Sequence, residues 1–160
     1  MDVAYLLTGG NLGNRYNNLK EAKYLIEQKC GHLVDISGIY ETEAWGINDQ
    51  DSFLNQALMV KTSFSPKELL EQILDIETSM GRTREEKFGP RLIDIDILFY
   101  GNKIITEDGL QVPHPFVHKR RFALQCLSEI APNYIHPVLN KTVNELLATC
   151  QDPLSVKKWV

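Results

Sequence analysis

The sequence predicts an α+β fold: a ferredoxin-like βαββαβ antiparallel sheet with helices on one face and a C-terminal helical extension. Short apolar runs that alternate with polar residues indicate strands, and two longer segments with apolar residues at helical spacing carry capping signals. The chain has 160 residues, which suits one domain with a substantial core. We therefore expect a single domain over residues 1–160.

The first half of the predicted unit is a strand, a helix and a second strand. Residues 2–8 are mostly apolar and predict the first strand. After a glycine-rich turn, Asn14 is a suitable cap for a helix that ends before Gly31. Residues 33–42 then predict the second strand.

The second half of the unit is also predicted to be a strand, a helix and a strand. Residues 53–62 predict the third strand. Ser65, Pro66 and Glu68 form the signature of a capping box, with proline at the first helical position. The second helix is expected to end at Gly81.

The fourth strand of the unit and the C-terminal extension follow. Residues 92–100 are rich in Ile, Leu, Phe and Tyr, which predicts a strand, and residues 104–105 predict a short hairpin strand. Helices are expected over residues 117–130 and 143–149, and Pro132 follows the first of them.

Composition excludes several classes of protein. The net charge is -4, so the charge balance does not indicate a nucleic-acid partner. We expect neither a signal peptide nor a membrane span, because the N-terminal residues include no basic segment and no apolar run is long enough. Cys30, Cys126 and Cys150 form no close pair, which favours reduced thiols and a cytoplasmic location.

Two aspartates on the fourth strand are the strongest candidate site. Asp94 and Asp96 alternate with isoleucines, so both carboxylates face the same side of the sheet. Mg²⁺ binds to a few carboxylates together with waters and phosphate oxygens. Arg91 lies just before the strand, where its guanidinium could bind a phosphate. The alternative is a strand with one solvated polar face.

One motif extends over the start of the fourth strand: Gly89-Pro90-Arg91, two spacers, and then the Asp-Ile-Asp pattern that begins at Asp94. Shorter motifs accompany it at residues 9–13, 40–42, 53–55, 77, 81–82 and 112–114. With these motifs in this order, the chain resembles the 6-hydroxymethyl-7,8-dihydropterin pyrophosphokinase family of folate biosynthesis.

The resemblance implies a Mg²⁺-dependent diphosphotransferase. Members of the family transfer pyrophosphate from ATP to the hydroxymethyl group of a reduced pterin and release AMP. The resemblance also implies two Mg²⁺ ions per site, on Asp94 and Asp96. We expect a monomer, and the charge balance and the lack of a long apolar run favour neither a nucleic-acid nor a membrane partner. Two alternatives stay open: a two-metal phosphohydrolase, and an inactive module that binds a nucleotide or a pterin.

The resemblance further implies which side chains contact ATP. Arg82 and Arg91 are expected to act in catalysis with the two aspartates, and Glu77 is expected to order an arginine or a metal-bound water. The residues expected to bind the ATP phosphates are Arg82, Arg84, Arg91, His114 and Arg120. A solvated loop is the alternative for Arg82 and Arg84, and a simple turn is the alternative for His114.

The pterin is expected to bind between two aromatic rings. By resemblance, Phe53 and Phe122 stack on the flat pterin, and Asn55 offers its amide to the polar edge of the ring. Thr42 and Trp45 match positions in the wall of the pocket. Core packing is the alternative for either phenylalanine.

A tryptophan signal tests the expected pocket wall. The sequence has two tryptophans, Trp45 and Trp159. If Trp45 lines the pterin pocket, its emission changes when pterin binds, and the change is lost in Trp45→Phe. A ligand response that is unchanged in that variant would remove Trp45 from the pocket.

Overall fold

The structure is a computed structural model that describes residues 1–43, 51–81 and 92–159. Its strands are β1 (Asp2–Gly10), β2 (His32–Ile36), β3 (Tyr40–Thr42), β4 (Phe53–Thr62), β5 (Asp94–Tyr100), β6 (Ile105–Glu107), β7 (Leu110–Val112) and β8 (Val156–Lys158). Its α-helices are α1 (Arg15–Lys29), α2 (Pro66–Ser79), α3 (Arg121–Ile130) and α4 (Val143–Ala148).

One antiparallel sheet organises the described part of the chain. Its strands lie in the order β5-β1-β4-β3-β8, and β2 pairs with β4 beside β3. Strands β6 and β7 form a separate hairpin. The predicted α+β class with an antiparallel sheet is confirmed. Strand β8 was not predicted, because a three-residue strand carries too little alternating pattern to be recognised in the sequence.

Helices pack on both faces of the sheet. Leu6 and Leu58 belong to a core shared with α1 and α2, whereas Leu7 and Ala57 belong to a second core shared with α3 and α4. These neighbours alternate along β1 and β4, so the two cores lie on opposite faces. Helices α1 and α2 of the predicted unit therefore lie on one face, as expected, and the C-terminal helices α3 and α4 cover part of the second face.

The predicted second strand divides at Ser37. The Ser37 N–H donates to the Ala57 carbonyl oxygen at 2.9 Å, and its hydroxyl oxygen accepts from the Ala57 N–H at 2.9 Å. A side chain that bonds to the backbone competes with the regular ladder of a sheet. Strand β2 therefore ends at Ile36 and β3 begins at Tyr40.

The predicted helix over residues 117–130 also begins with an irregularity. Residues Val117–Lys119 form a 3₁₀ turn, and Arg120 is extended before α3 begins at Arg121. The helix caps are as predicted for α1 and α2: Asn14 accepts from the Asn17 N–H, and Ser65 forms a capping box with Glu68. Within the described residues, none of the helices has the length and apolar character to cross a membrane.

Candidate active site

A row of three residues crosses the centre of the sheet. Gly9 on β1 lies opposite Asn55 on β4 and opposite Asp94 on β5. Residues that are directly opposite in neighbouring strands project to the same face. A Cβ atom at Gly9 would lie 2.5 Å from Asn55 Oδ1, so the missing side chain leaves room for the amide. We call Asn55, Gly9 and Asp94 the central row.

The Asn55 amide is buried with an unused donor. The side chain is 3% exposed, and its Nδ2 atom has no hydrogen-bond partner in the described part of the chain. A buried donor without an acceptor costs about 1–3 kcal/mol. We expect such a donor to form a hydrogen bond with an acceptor atom of a ligand. The polar edge of a flat heterocycle can supply an acceptor of this kind.

The side chains of the two aspartates project from the same face of the sheet as the side chain of Asn55. Asp96 lies opposite Leu7, which belongs to the second core, and Ile95 between the aspartates is buried in the first core. Among the residues described, no group of three or more His, Cys, Asp and Glu side chains could hold a metal ion. Two carboxylates would leave ligand positions open for waters and phosphate oxygens, which is the donor set that Mg²⁺ favours.

Glu77 fixes the strand that carries these aspartates. Its side chain is 2% exposed, and Oε2 accepts the N–H of Ile95 at 2.7 Å. Ile95 lies between Asp94 and Asp96, so this bond holds the edge of β5 against the last turns of α2. The sequence did not predict this contact, because the partner is a backbone group that no motif marks.

His114 lies beside the aspartate strand. Its backbone N–H donates to the Leu98 carbonyl oxygen at 2.9 Å, and its ring atom Nδ1 accepts the backbone N–H of Phe116 at 3.1 Å. Burial lowers the pKa of His114 to about 4, and the positive charge of Arg120 adds to this, although Asp94 opposes it. His114 is therefore neutral at pH 7, and the proton lies on Nε2.

Aromatic rings flank the Arg120 guanidinium. Its Cζ lies 5.3 Å from the centre of the Phe116 ring and 5.9 Å from that of Phe122. Cations are attracted to aromatic faces at these distances. Because the charge of Arg120 also acts on His114, the ATP-side candidates His114 and Arg120 lie in one neighbourhood, next to the pterin-side candidate Phe122.

The pterin-side candidates other than Asn55 lie at the end of a strand or at the beginning of a helix. Phe53 begins β4, is partly buried and lies opposite Thr42, the last residue of β3. Thr42 is 3% exposed, and its hydroxyl donates to the Ser155 carbonyl oxygen at 3.0 Å. Phe122 lies in the first turn of α3 and packs into the second core.

The structure brings together most of the predicted residues that it describes. Thr42, Phe53, Asn55, Asp94 and Asp96 share one face of the sheet, by their register. Four predicted residues lie outside the described residues and stay predictions: Trp45, Arg82, Arg84 and Arg91. Gly9 was expected in the glycine-rich turn before α1 but lies in β1, and its place opposite both Asn55 and Asp94 could be seen only from the strand register.

Comparison with known proteins identifies the family. The family model described as 7,8-dihydro-6-hydroxymethylpterin-pyrophosphokinase (HPPK) matches residues 5–132. The chain belongs to the HPPK family. A 2-amino-4-hydroxy-6-hydroxymethyldihydropteridine pyrophosphokinase of Aquifex aeolicus (strain VF5) is 43% identical over 145 residues, which are 91% of this chain and 90% of that protein.

Longer relatives contain an HPPK-like part. The folic acid synthesis protein FOL1 of Dictyostelium discoideum is 41% identical over 91% of this chain, which spans 22% of that protein. The crystal structure of Plasmodium falciparum HPPK-DHPS wild type with SDX-DHP has a TM-score of 0.75 at 22% identity, covering 92% of this chain and 43% of that one. The structural likeness supports the fold, and this HPPK chain spans less than half of both longer proteins.

The central row predicts a selective binding defect. Asn55→Ala should weaken binding of 6-hydroxymethyl-7,8-dihydropterin by about 1–3 kcal/mol, because a buried donor to that ligand is lost. Binding of ATP should change little. Separate calorimetric titrations of the two ligands measure both effects.

Gly9→Ala provides a second variant for the same test. Its added methyl group would displace the Asn55 amide without removing it. We expect the same selectivity for pterin over ATP. Equal losses for both ligands in the two variants would place Asn55 outside the pterin site.

Proposed function

We propose that this HPPK chain transfers pyrophosphate from ATP to 6-hydroxymethyl-7,8-dihydropterin in folate biosynthesis. The products are AMP and the pterin diphosphate, which makes the chain a 2-amino-4-hydroxy-6-hydroxymethyldihydropteridine diphosphokinase. Family membership supports the proposal. The observation that carries it is the central row, which sets the unused Asn55 donor and the Asp94 carboxylate on one face, on the two strands that flank Gly9.

The pterin side of the proposed site recognises a flat, polar-edged ring. Asn55 donates its buried amide N–H to an acceptor on the pterin edge. Phe53 and Phe122 supply the aromatic faces for stacking. Thr42, at the end of β3, and Trp45 are proposed to form the wall of the pocket.

The phosphate side neutralises and orients ATP. His114 is a neutral donor through Nε2–H at pH 7, because its Nδ1 already accepts a backbone N–H. Arg120 supplies a fixed positive charge beside it. Arg82, Arg84 and Arg91 are proposed to bind the remaining phosphate oxygens. Catalysis of phosphoryl transfer consists largely of such positioning and charge stabilisation.

The metal requirement follows from the donor set. Asp94 and Asp96 would hold Mg²⁺, and we propose two ions per site. Bound there, the metal supplies charge neutralisation for the phosphate oxygens and a template for the attacking hydroxyl. Glu77 keeps both aspartates in place through the Ile95 N–H, and it is also proposed to order an arginine or a metal-bound water.

The geometry of binding decides which phosphorus reacts. Arginines and Mg²⁺ serve attack at the β- or the γ-phosphorus equally well, so selection rests on where the hydroxymethyl oxygen is held. In this proposal the pterin, held by Asn55 and the two phenylalanines, directs that oxygen towards the β-phosphorus in line with the departing AMP.

Several further assignments belong to the same proposal. We assign the βαββαβ part of the sheet to the ferredoxin-like arrangement, which the strand order β5-β1-β4 with β2 and β3 at the far side supports. The 160 residues are proposed to act as one domain and as a monomer in the cytoplasm, without a nucleic-acid or membrane partner.

Product analysis tests the proposed reaction. The protein is incubated with ATP, Mg²⁺ and the hydroxymethyl pterin, and nucleotides and pterins are separated by chromatography. We expect AMP and the pterin diphosphate in equal amounts, and neither product without pterin or Mg²⁺. ADP as the main product would indicate an ordinary kinase, and inorganic phosphate without pterin would indicate a hydrolase.

An isosteric change at Asp96 tests the metal assignment. Asp96→Asn should reduce turnover by at least about a hundredfold at ordinary Mg²⁺, because a ligand charge is lost while the shape is kept. The matched control is Asp35→Asn on strand β2, at the opposite side of the sheet from β5. Near-normal activity of Asp96→Asn would contradict the assignment.

A further inference from the structure

Strand β8 covers the edge of the sheet next to the proposed pterin wall. It pairs antiparallel with β3, with Lys158 opposite Tyr40 and Val156 opposite Thr42. The N–H of Trp159 donates to the Ile39 carbonyl oxygen at 2.7 Å, which extends the pairing by one residue. Without β8, the three-residue strand β3 would form the edge of the sheet, held by β4 on one side.

A charged side chain from α3 ties the same strands together. Glu129 accepts the Gly38 N–H at 2.7 Å and also the Tyr40 hydroxyl, and it forms an ion pair with Lys158 at 3.1 Å. Burial acts to raise the pKa of Glu129, but the bonds from Tyr40 and Gly38 and the Lys158 charge outweigh it and lower the pKa. Glu129 therefore carries its charge at neutral pH and joins α3, β3 and β8.

Thr42 connects the segment that contains β8 to the proposed pterin side. Its hydroxyl donates to the carbonyl oxygen of Ser155, immediately before β8. Thr42 lies opposite Phe53, and Tyr40 lies opposite Asn55. A displacement of β3 would therefore change the wall beside both proposed pterin contacts.

Strand β8 lies outside the part of the chain that the family match covers, which ends at residue 132. We propose that β8 is a positioning element of the pterin side, which holds β3 in register so that Thr42, Phe53 and Asn55 keep their arrangement. This inference rests on the proposed function. It assigns Lys158 and Glu129 as positioning residues that act through Tyr40 and β3.

Side-chain burial favours local positioning over global stability as the role of β8. Val156 is partly buried against the second core, whereas Lys157, Lys158 and Trp159 are exposed. Segments with few buried apolar groups contribute little to the cooperative core and can detach locally. Binding and catalytic groups, in contrast, must be held within about 0.5 Å of their productive geometry.

Two substitutions at Lys157 isolate the backbone pairing. The Trp159 N–H points towards β3, and alternation along the strand directs the Lys157 N–H the same way. Lys157→Pro removes that donor, while Lys157→Ala keeps it and loses the same charge. We expect Lys157→Pro to raise the KM for pterin about tenfold and to change the KM for ATP less than about twofold. Lys157→Ala should resemble the wild type.

Two substitutions at Lys158 test the side-chain link separately. Lys158→Ala should raise the KM for pterin about threefold, and Lys158→Arg should restore it, because an arginine keeps the charge that faces Glu129. This pair decides the matter if Lys157→Pro fails to fold, as judged by circular dichroism. Folded variants with unchanged pterin KM, or with equal rises in both KM values, would overturn the proposal.

Product analysis and a separate measurement of pterin binding distinguish this inference from the proposed function. A wild-type protein that forms no AMP with pterin, ATP and Mg²⁺ contradicts the proposed function. Calorimetric titration of the pterin onto wild type and Lys157→Pro then tests β8 by binding. About tenfold weaker binding by Lys157→Pro supports the positioning role, and equal affinities, including no measurable binding to either, overturn it.

Discussion

Gly9 lies opposite Asn55 on one neighbouring strand and Asp94 on the other, and the candidate site depends on this register. A one-residue shift of either neighbour would turn its polar group to the opposite face. The missing side chain at Gly9 also leaves the space that the Asn55 amide fills. The proposed pterin and metal groups are therefore brought together by backbone pairing, with one glycine between them.

The two faces of the sheet differ in the groups that they carry. Helices α1 and α2 cover one face with apolar residues and fix the strands. The other face combines the second core, under α3 and α4, with the polar groups of the site. Glu77 and Glu129 anchor opposite parts of this arrangement: Glu77 holds β5 through the Ile95 N–H, and Glu129 holds β3 through Gly38 and Tyr40.

Local patterns in the sequence predicted most of the elements and the side of the sheet that carries the site. Alternation placed Asp94 and Asp96 on one face, and the capping signals at Asn14 and Ser65 marked two helix starts. Contacts between residues distant in the chain could not be predicted in this way. The Glu77–Ile95 bond, the break at Ser37 and the pairing of β8 with β3 all depend on backbone groups, which leave no periodic signal.

A crystal structure with the hydroxymethyl pterin, a nonhydrolysable ATP analogue and Mg²⁺ tests most directly whether the central row binds the pterin and the metal. We expect the pterin edge within hydrogen-bond distance of Asn55 Nδ2, and Mg²⁺ bound to Asp94 and Asp96. A pterin bound away from Asn55, or a phosphate–metal cluster that does not involve the two aspartates, would contradict the account.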